Sequence, residues 1–170
     1  FYDVPIKKII SKKYANDINK NIQIGKLTPV NEINPGKYMD GESHETTHFS
    51  VVDKTGNVIS MTYTLNSTFG SKVVIKGTGI LMNNEMDDFS AASGIPNQFN
   101  LLGAEANEIA PFKRPLSSMT PTIVLKDKEL FFTTGSPGGA RIISAVLQSI
   151  LNIIDFDMDL EDTTAAKRIH

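Results

Sequence analysis

The sequence predicts a mixed α/β (α+β) fold, because alternating and helical hydrophobic patterns both occur along it. Residues 48–63 alternate with period two around a short turn sequence, and residues 121–125 and 130–134 flank a second turn; both arrangements are typical of β-hairpins. Over residues 142–154, apolar side chains recur three and four positions apart on a wide face, which predicts a buried helix. From 170 residues and 40% hydrophobic content, we expect one globular unit.

Local signals predict the elements of the first half in chain order. Pro5 and apolar residues at helical spacing predict a surface helix over residues 6–20. Residues 25–45 are rich in Pro, Gly, Asn and Asp and predict a loop of about twenty residues, which is long for a compact domain. The first hairpin is expected to turn at residues 53–57.

The second half begins with weaker strand signals and ends with helical ones. Residues 73–75 and 80–82 predict short strands, and residues 83–107 predict a long functional loop. The second hairpin should comprise residues 121–125 and 130–134, with its turn at 126–128. After the buried helix, Asp159 is expected to cap the N-terminus of a last helix that extends to Arg168.

The composition excludes several classes of function. The 17 basic and 19 acidic residues give a net charge of −2, with no dense basic cluster, so we expect no nucleic-acid partner. There is no cysteine, so covalent chemistry must come from Ser, Thr, Lys or a carboxylate. The most apolar run falls short of the roughly 20 residues that span a bilayer, so no membrane span is expected. The chain starts with Phe1, and we expect it to be part of a longer protein.

His44-Glu45-Thr46-Thr47-His48 spells the H-E-x-x-H signature of zinc proteases. A zinc site needs both histidines on one face of a helix, because only the helical period brings residues i and i+4 together around one ion. The two β-branched threonines and the alternation that follows them favour a strand instead. His170 is the only other histidine, and no carboxylate stands in a helix at a familiar distance for a third ligand. We therefore expect no metal site.

The same segment contains a threonine that could become an N-terminal nucleophile. Cleavage between Glu45 and Thr46 would give Thr46 a free α-amino group, with a pKa of about 8, beside its own hydroxyl. The amine would accept the hydroxyl proton, so that one residue supplies both nucleophile and base. The polar segment before residue 46 would then be a tail released by cleavage. The simpler alternative is a polar loop that leads into an edge strand.

Five blocks of the sequence resemble γ-glutamyltransferase (glutathione hydrolase) and stand in that family's order. They are TTHFSVVD at 46–53, TYTLNSTFGS at 62–71, GILMNNEMDDFS at 79–90, KRPLSSMTPTIV at 113–124 and TGSPGGARI at 134–142. The resemblance implies an N-terminal nucleophile (Ntn) hydrolase fold, an αββα sandwich that this chain supplies only in part. It also implies that residues 1–45 are the end of a large subunit and residues 46–170 most of a small subunit.

The resemblance assigns the reaction itself to four residues. Thr46 would attack the γ-carbonyl of a glutamyl amide and, earlier, the Glu45 carbonyl to cut the chain. Thr64 would orient that hydroxyl, although a strand threonine on a polar face is the simpler interpretation. Gly138 and Gly139 would form the oxyanion hole, since glycines before a helix let backbone N–H groups approach an anion. Gly135-Ser136-Pro137-Gly138-Gly139 is otherwise an ordinary tight turn.

The resemblance assigns binding of the glutamyl head to a second set of side chains: Asn66, Glu85, Asp88, Ser117 and Ser118. The two carboxylates would attract the α-ammonium, and the two serine hydroxyls would donate to the α-carboxylate. A solvated acidic loop is the alternative for residues 85–88. Some family members have Gln in place of Glu85, and both residues accept a hydrogen bond from an ammonium. Phe99 matches the position of an aromatic lid in some members.

The resemblance implies an enzyme that removes the γ-glutamyl group from amides such as glutathione. The group passes to water in hydrolysis, or to an amino acid or peptide in transfer. No cofactor is expected, and the large-subunit remainder of the precursor is the expected partner. Such enzymes are periplasmic or secreted. We expect this fragment to be inactive alone. The alternatives are an Ntn amide hydrolase acting on another acyl group, such as poly-γ-glutamate or a β-lactam side chain, and a non-catalytic γ-glutamyl-binding fragment.

Overall fold

The computed structural model describes residues 6–20, 22–23, 25–26, 45–99 and 101–170. In these residues the helices are α1 (Ile6–Ile9), α2 (Lys12–Asn19), α3 (Arg141–Ile154) and α4 (Leu160–Ala165), and the strands are β1 (Thr46–Val52), β2 (Val58–Thr64), β3 (Thr122–Lys126) and β4 (Glu129–Thr134). Short 3-10 helices occur at Glu85–Asp88 and Glu105–Asn107. The predicted mixture of hairpins and helices is therefore confirmed.

The chain divides into two compact units, so the expectation of one globular unit is wrong. The larger unit comprises Gly41–Asp88 and Leu116–His170, and the smaller one Phe1–Asp40 and Phe89–Pro115. Among the described residues, the buried hydrophobic side chains are Phe89, Phe132, Ile142 and Val146. Many further apolar side chains are exposed, so the apolar content of the sequence does not by itself give one core.

The first hairpin forms as predicted, with β1 antiparallel to β2 from the pair Thr46↔Thr64 to the pair Val52↔Val58. Its turn is organised by Asp53, whose carboxylate accepts hydrogen bonds from the Thr55 N–H at 2.8 Å and the Asn57 N–H at 2.9 Å. The Asn57 side-chain amide donates a further bond at 2.7 Å. The Thr55 hydroxyl donates a fourth bond at 2.8 Å. The bonds from the Asn57 side chain, first, and the Thr55 hydroxyl, second, are the main causes that lower the pKa of Asp53 to about 2.

The two faces of this hairpin differ in polarity, because successive strand residues point to opposite sides. One face carries Thr46, His48, Ser50, Ser60, Thr62 and Thr64. This polar face meets the second hairpin: Ser50 Oγ lies 3.1 Å from Thr133 Oγ1, and Ser60 Oγ donates to the Thr134 carbonyl at 3.4 Å. The opposite face exposes large apolar side chains, which are Phe49, Val51, Ile59, Met61 and Tyr63.

The second hairpin is also confirmed, with β3 antiparallel to β4. Its turn is Asp127–Lys128, one residue shorter than predicted, because Lys126 still pairs with Glu129. Both turn residues have positive φ, 54° and 73°, which is the backbone of a type I′ hairpin turn. A bulge lies between Val124 and Leu125.

Helix α3 begins one residue before its predicted start, but the prediction that its wide apolar face is wholly buried is wrong. Ile142 and Val146 are buried, whereas Ile143, Leu147 and Ile154 are each 53% exposed. The apolar face is wider than the six-residue α4, which packs against α3, can cover. Within the described residues, no helix is long and apolar enough to cross a membrane.

Helix α4 is capped as predicted, because the Asp159 side chain accepts a hydrogen bond from the Asp162 N–H at 2.7 Å. The helix ends at Ala165 rather than Arg168. The Arg168 guanidinium instead donates to the Thr163 and Thr164 carbonyls at 3.3 and 3.2 Å. These bonds satisfy carbonyls near the end of α4 without further helical turns.

The predicted helix over residues 6–20 is two helices, because Ser11 interrupts it. The Ser11 hydroxyl donates to the Lys8 carbonyl at 2.7 Å and accepts from the Tyr14 N–H at 3.1 Å. One serine therefore helps to end α1 and caps the N-terminus of α2. The predicted loop over residues 25–45 lies mostly outside the described residues.

The two weaker strand predictions are only partly right. Residues 73–75 and 80–82 pair through a single antiparallel bridge, Val74↔Leu81. The Met82 N–H donates to the Val73 carbonyl and the Ile75 N–H to the Ile80 carbonyl, each at 2.9 Å. The pairing is correct, but the segments are too short to form strands. The predicted loop over residues 83–107 contains the two 3-10 helices.

We predict that Lys128→Gly stabilises the second hairpin by up to about 1 kcal/mol, because a left-handed backbone is costly for a side chain with a Cβ. Thermal or urea unfolding of the whole protein that contains this chain measures the effect. Lys54→Gly is the matched control, since Lys54 lies in the other hairpin turn without a positive φ. Equal effects of the two changes would contradict this account.

Candidate active site

Thr46 is the first residue of β1 and lies directly opposite Thr64, the last residue of β2. Residues paired in this way point to the same face of a hairpin. The Thr64 hydroxyl donates to the Glu45 carbonyl at 3.4 Å and accepts a hydrogen bond from the Asn66 N–H at 2.9 Å. Thr64 therefore contacts the peptide group that joins Glu45 to Thr46.

Asn66 follows the end of β2 in a tight turn. Its φ of 76° is left-handed, a conformation that Asn tolerates better than most residues with a Cβ. The residue is 8% exposed, and its side-chain amide donates to the Asn84 carbonyl at 3.3 Å. Asn66 thus connects the end of the first hairpin with the segment that leads into the Glu85–Asp88 helix.

The 3-10 helix Glu85–Asp88 forms an acidic turn. The Asn83 side chain accepts a hydrogen bond from the Glu85 N–H at 3.1 Å, as in an Asx turn. Burial is the first cause that raises the pKa of Glu85 to about 7, followed by its hydrogen bond to Asp88 and the charge of Asp88. Burial also raises the pKa of Asp88. This turn is therefore not the solvated acidic loop of the alternative interpretation.

Two half-buried carboxyl groups in contact cannot both ionise without mutual repulsion. Without a ligand they therefore favour holding a proton between them. A cation that enters this site would remove the repulsion and restore both negative charges.

Gly138 and Gly139 lie immediately before α3, and both have positive φ, 126° and 55°. Their carbonyls accept hydrogen bonds from the Arg141 and Ile142 N–H groups at 3.1 and 3.2 Å, which form the first turn of α3. The N-cap residue Ala140 provides no side-chain cap. The helix dipole therefore favours negative charge at this loop.

His48 of β1 packs against Gly135, at the start of this glycine loop. Its ring occupies the space that a side chain at Gly135 would need. His48 Nδ1 lies 2.9 Å from Thr62 Oγ1, and Nε2 lies 3.3 Å from Ser50 Oγ. Burial lowers the pKa of His48. The requirement for glycine at position 135 thus comes from packing.

Ser117 and Ser118 lie in the same unit as these residues. Ser117 is exposed and its Oγ accepts a hydrogen bond from the Met119 N–H at 3.2 Å, whereas Ser118 is half-buried. The hydrogen bonds of Thr64 and Asn66 lead from Glu45 to the segment before the acidic turn. The bonds described for Ser117 and for the glycine pair are local and do not join this set. The substrate roles of the serines stay predictions.

Phe99 lies in the smaller unit, where its N–H donates to the Asn97 side chain at 3.0 Å. The Asn97 side chain also accepts a bond from the Leu101 N–H at 3.0 Å, which closes a local turn. The lid function of Phe99 stays a prediction.

The sequence interpretation missed Asn83 and Asn84 as organisers of the acidic turn. A signal was present, since paired asparagines before a polar turn are frequent side-chain partners of nearby backbone groups. It was weak because the same residues occur in ordinary loops.

The structure disfavours the helix that a zinc site would need, because Thr46, Thr47 and His48 lie in strand β1. His44 lies outside the described residues. Within those residues, no group of three His, Asp or Glu side chains could hold a metal ion.

We predict that Glu85→Gln raises the thermal midpoint of the unliganded whole protein at about pH 8 more than at about pH 4.5. A carboxyl whose pKa is raised from 4.5 to about 7 by folding has no penalty below the lower value, where both states are protonated. The penalty grows as the pH rises and is complete above about 7. Calorimetry at the two pH values checks this, and equal midpoint differences would show that ionisation is not the cause.

The family model and the curated relatives that match this chain point to the same family. The family model for gamma-glutamyltranspeptidase matches residues 1–170. The glutathione hydrolase proenzyme of Escherichia coli (strain K12) is 52% identical over 170 residues, which are 100% of this chain and 29% of that protein. The proenzyme of Pseudomonas aeruginosa is 45% identical over 170 residues, 100% of this chain and 30% of that protein. The chain thus spans less than a third of these curated relatives.

Solved structures agree with the fold class. A crystal structure of a Helicobacter pylori gamma-glutamyltranspeptidase mutant matches with a TM-score of 0.69 and 54% identity, covering 73% of this chain and 67% of that one. The Bacillus anthracis transpeptidase enzyme CapD matches with a TM-score of 0.51 and 28% identity, covering 73% and 60%. The predicted α+β fold of the Ntn hydrolase class is confirmed by these neighbours. This chain belongs to the γ-glutamyltranspeptidase family.

Proposed function

We propose that the whole protein containing this chain hydrolyses γ-glutamyl amides such as glutathione and transfers the γ-glutamyl group to amino acids or peptides. The observation that carries this proposal is the contact of Thr64 with the Glu45 carbonyl, directly beside Thr46. A family match over residues 1–170 supports it.

The first step in this proposal is cleavage of the chain at Glu45. Thr46 Oγ attacks the Glu45 carbonyl carbon, the C–N bond breaks, and the nitrogen takes up the hydroxyl proton to become the α-amino group of Thr46. The resulting ester between Glu45 and Thr46 Oγ is hydrolysed by water. The Thr64 hydroxyl donates to the Glu45 carbonyl oxygen at 3.4 Å, where negative charge would develop during this attack.

Turnover then uses the same hydroxyl on the substrate. The freed α-amine accepts the proton of Thr46 Oγ as the oxygen attacks the γ-carbonyl. The proton passes to the leaving nitrogen, and an acyl ester forms on Thr46. Water or the amine of an acceptor then releases the γ-glutamyl group. Backbone N–H groups at Gly138 and Gly139 would stabilise the tetrahedral oxyanion, with support from the N-terminus of α3.

Binding of the substrate head falls to the acidic turn and the serine pair. The Glu85 and Asp88 carboxylates would accept hydrogen bonds from the α-ammonium, whose positive charge would offset the negative charge that burial disfavours. Ser117 and Ser118 would donate hydrogen bonds to the α-carboxylate. An Ntn amide hydrolase of other acyl specificity is less favoured, because the match to CapD has 28% identity and the match to the gamma-glutamyltranspeptidase 54%.

The rest of the precursor is the partner that we propose for this chain. The division into large-subunit residues 1–45 and small-subunit residues 46–170 stays a prediction. For the isolated chain we propose inactivity, since the matched relatives are more than three times as long. A turnover assay of the isolated chain tests this. A periplasmic or secreted location stays a prediction from the family resemblance, and cell fractionation tests it.

We predict that Thr46→Ala abolishes both chain cleavage and turnover in the whole protein, because the same oxygen attacks in both steps. Gel analysis of the two subunits and a chromogenic γ-glutamyl anilide assay measure the two effects. Thr47→Ala is the matched control: Thr47 is exposed on the opposite face of β1 and should leave both unchanged. Turnover by Thr46→Ala would exclude Thr46 as the nucleophile.

We predict that Gly139→Ala lowers kcat by about 100-fold or more, as loss of an oxyanion donor does. The reason is that φ of 55° strains an alanine, which moves the loop before α3. Gly56→Ala is the control, because Gly56 has a φ of 86° in the first hairpin turn with open space around it. Gly56→Ala should lower the stability of the protein about as much as Gly139→Ala does, and it should leave kcat unchanged. A similar kcat in both variants would remove the glycine loop from the mechanism.

A further inference from the structure

Asn84 is a convergence point of hydrogen bonds between two loop segments. Its side-chain oxygen accepts from the Ser67 N–H at 3.0 Å, and its side-chain amide donates to Ser67 Oγ at 3.0 Å. Its own N–H donates to the Leu65 carbonyl at 3.1 Å. Its carbonyl accepts from the Asn66 side chain at 3.3 Å. Four bonds therefore tie residue 84 to the three residues that follow β2.

These bonds complete a continuous path through the candidate active site. Thr64 is paired with Thr46 in the hairpin and accepts a hydrogen bond from the Asn66 N–H, and Asn66 links in turn to Asn84. Glu85 is the next residue along the chain and begins the acidic turn. The place where the ammonium would bind is thus connected to the place of the nucleophile through Asn84.

We propose that Asn84 is a positioning residue that sets the distance between the acidic turn and Thr46, and so makes the site select substrates with a free α-ammonium. The inference rests on the proposed function and deepens it. A γ-glutamyl group has a fixed number of bonds between its α-nitrogen and its γ-carbonyl carbon. The acidic turn therefore has to lie within the extended length of that chain from the nucleophile.

Only asparagine can make both side-chain bonds in this space. Aspartate lacks the N–H that donates to Ser67 Oγ, and alanine lacks both groups. Asn84 and Ser67 are half-buried, so water replaces the lost bonds poorly. The same two segments also approach closely at Gly70, where a Cβ would collide with the Met82 carbonyl.

Asn84→Ala in the whole protein tests the proposal. For a γ-glutamyl anilide, we expect KM to rise by roughly tenfold, the usual effect of losing a half-buried hydrogen-bonding group, while kcat changes less. Competitive inhibition separates positioning from general damage. L-Glutamate, which carries the α-ammonium, should inhibit roughly tenfold less well, whereas glutarate, which lacks it, should inhibit equally in both proteins.

Two further variants keep the test decisive. Ser67→Ala removes one of the four bonds and should give a smaller change of the same kind, and combined with Asn84→Ala it should add little. Ser71→Ala is the matched control, because Ser71 Oγ donates to the Met82 carbonyl at 3.1 Å and links the same segments farther along. It should leave both inhibition constants unchanged.

If Asn84→Ala weakens inhibition by L-glutamate and by glutarate equally, or weakens neither, the proposal is overturned. If Asn84→Ala does not fold, as judged by its thermal unfolding, Ser67→Ala carries the same comparison. Failure of the proposed function is distinguishable, because the unmodified protein would then not hydrolyse the γ-glutamyl anilide.

Discussion

The antiparallel register of β1 with β2 is the constraint on which the candidate active site depends. It pairs Thr46 with Thr64 and brings the Thr64 hydroxyl to the Glu45 carbonyl. A slip of one residue would turn Thr46 to the opposite face of the hairpin. The Asp53 turn, with the four hydrogen bonds that its carboxylate accepts from Thr55 and Asn57, helps to hold this register. Residues far from the site along the hairpin therefore contribute to its geometry.

The polar face of the first hairpin places the site relative to the second hairpin. Hydrophobic contacts are non-directional, whereas hydrogen bonds fix both distance and angle. The bonds of Ser50 with Thr133 and of Ser60 with the Thr134 carbonyl end one residue before Gly135. They therefore set where the glycine loop begins. Polar contacts at this position suit a site in which a nucleophile and an oxyanion-binding loop come from different hairpins.

The parts of the fold that could be predicted have strong and repeated local signals. The first hairpin combines period-two alternation with turn residues, the second has two strand-like runs around a turn, and the capping of α4 follows from Asp159 alone. The break at Ser11 could not be predicted, because a single serine is common inside helical patterns and only its hydrogen bonds show the interruption. The exposure of Ile143 and Leu147 could not be predicted either, since periodicity identifies an apolar face but not how much of it is covered.

In the candidate site too, local sequence signals could be predicted and features that depend on contacts could not. The family blocks predicted Thr46, Thr64, Asn66, Glu85 and Asp88, and the structure connects them through short contacts. The raised pKa values of the carboxyl pair depend on burial, which a sequence does not give. Asn84 was not predicted because its function lies in bonds to a segment seventeen residues earlier.

The central claim is that a freed α-amine on Thr46 works beside its own hydroxyl. Mass spectrometry of the active whole protein tests it most directly, by determining the first residue of the chain that contains Thr46. We expect this chain to begin at Thr46 and its appearance to parallel the rise of γ-glutamyl hydrolysis. Full turnover by a protein in which Glu45 and Thr46 remain joined would contradict it.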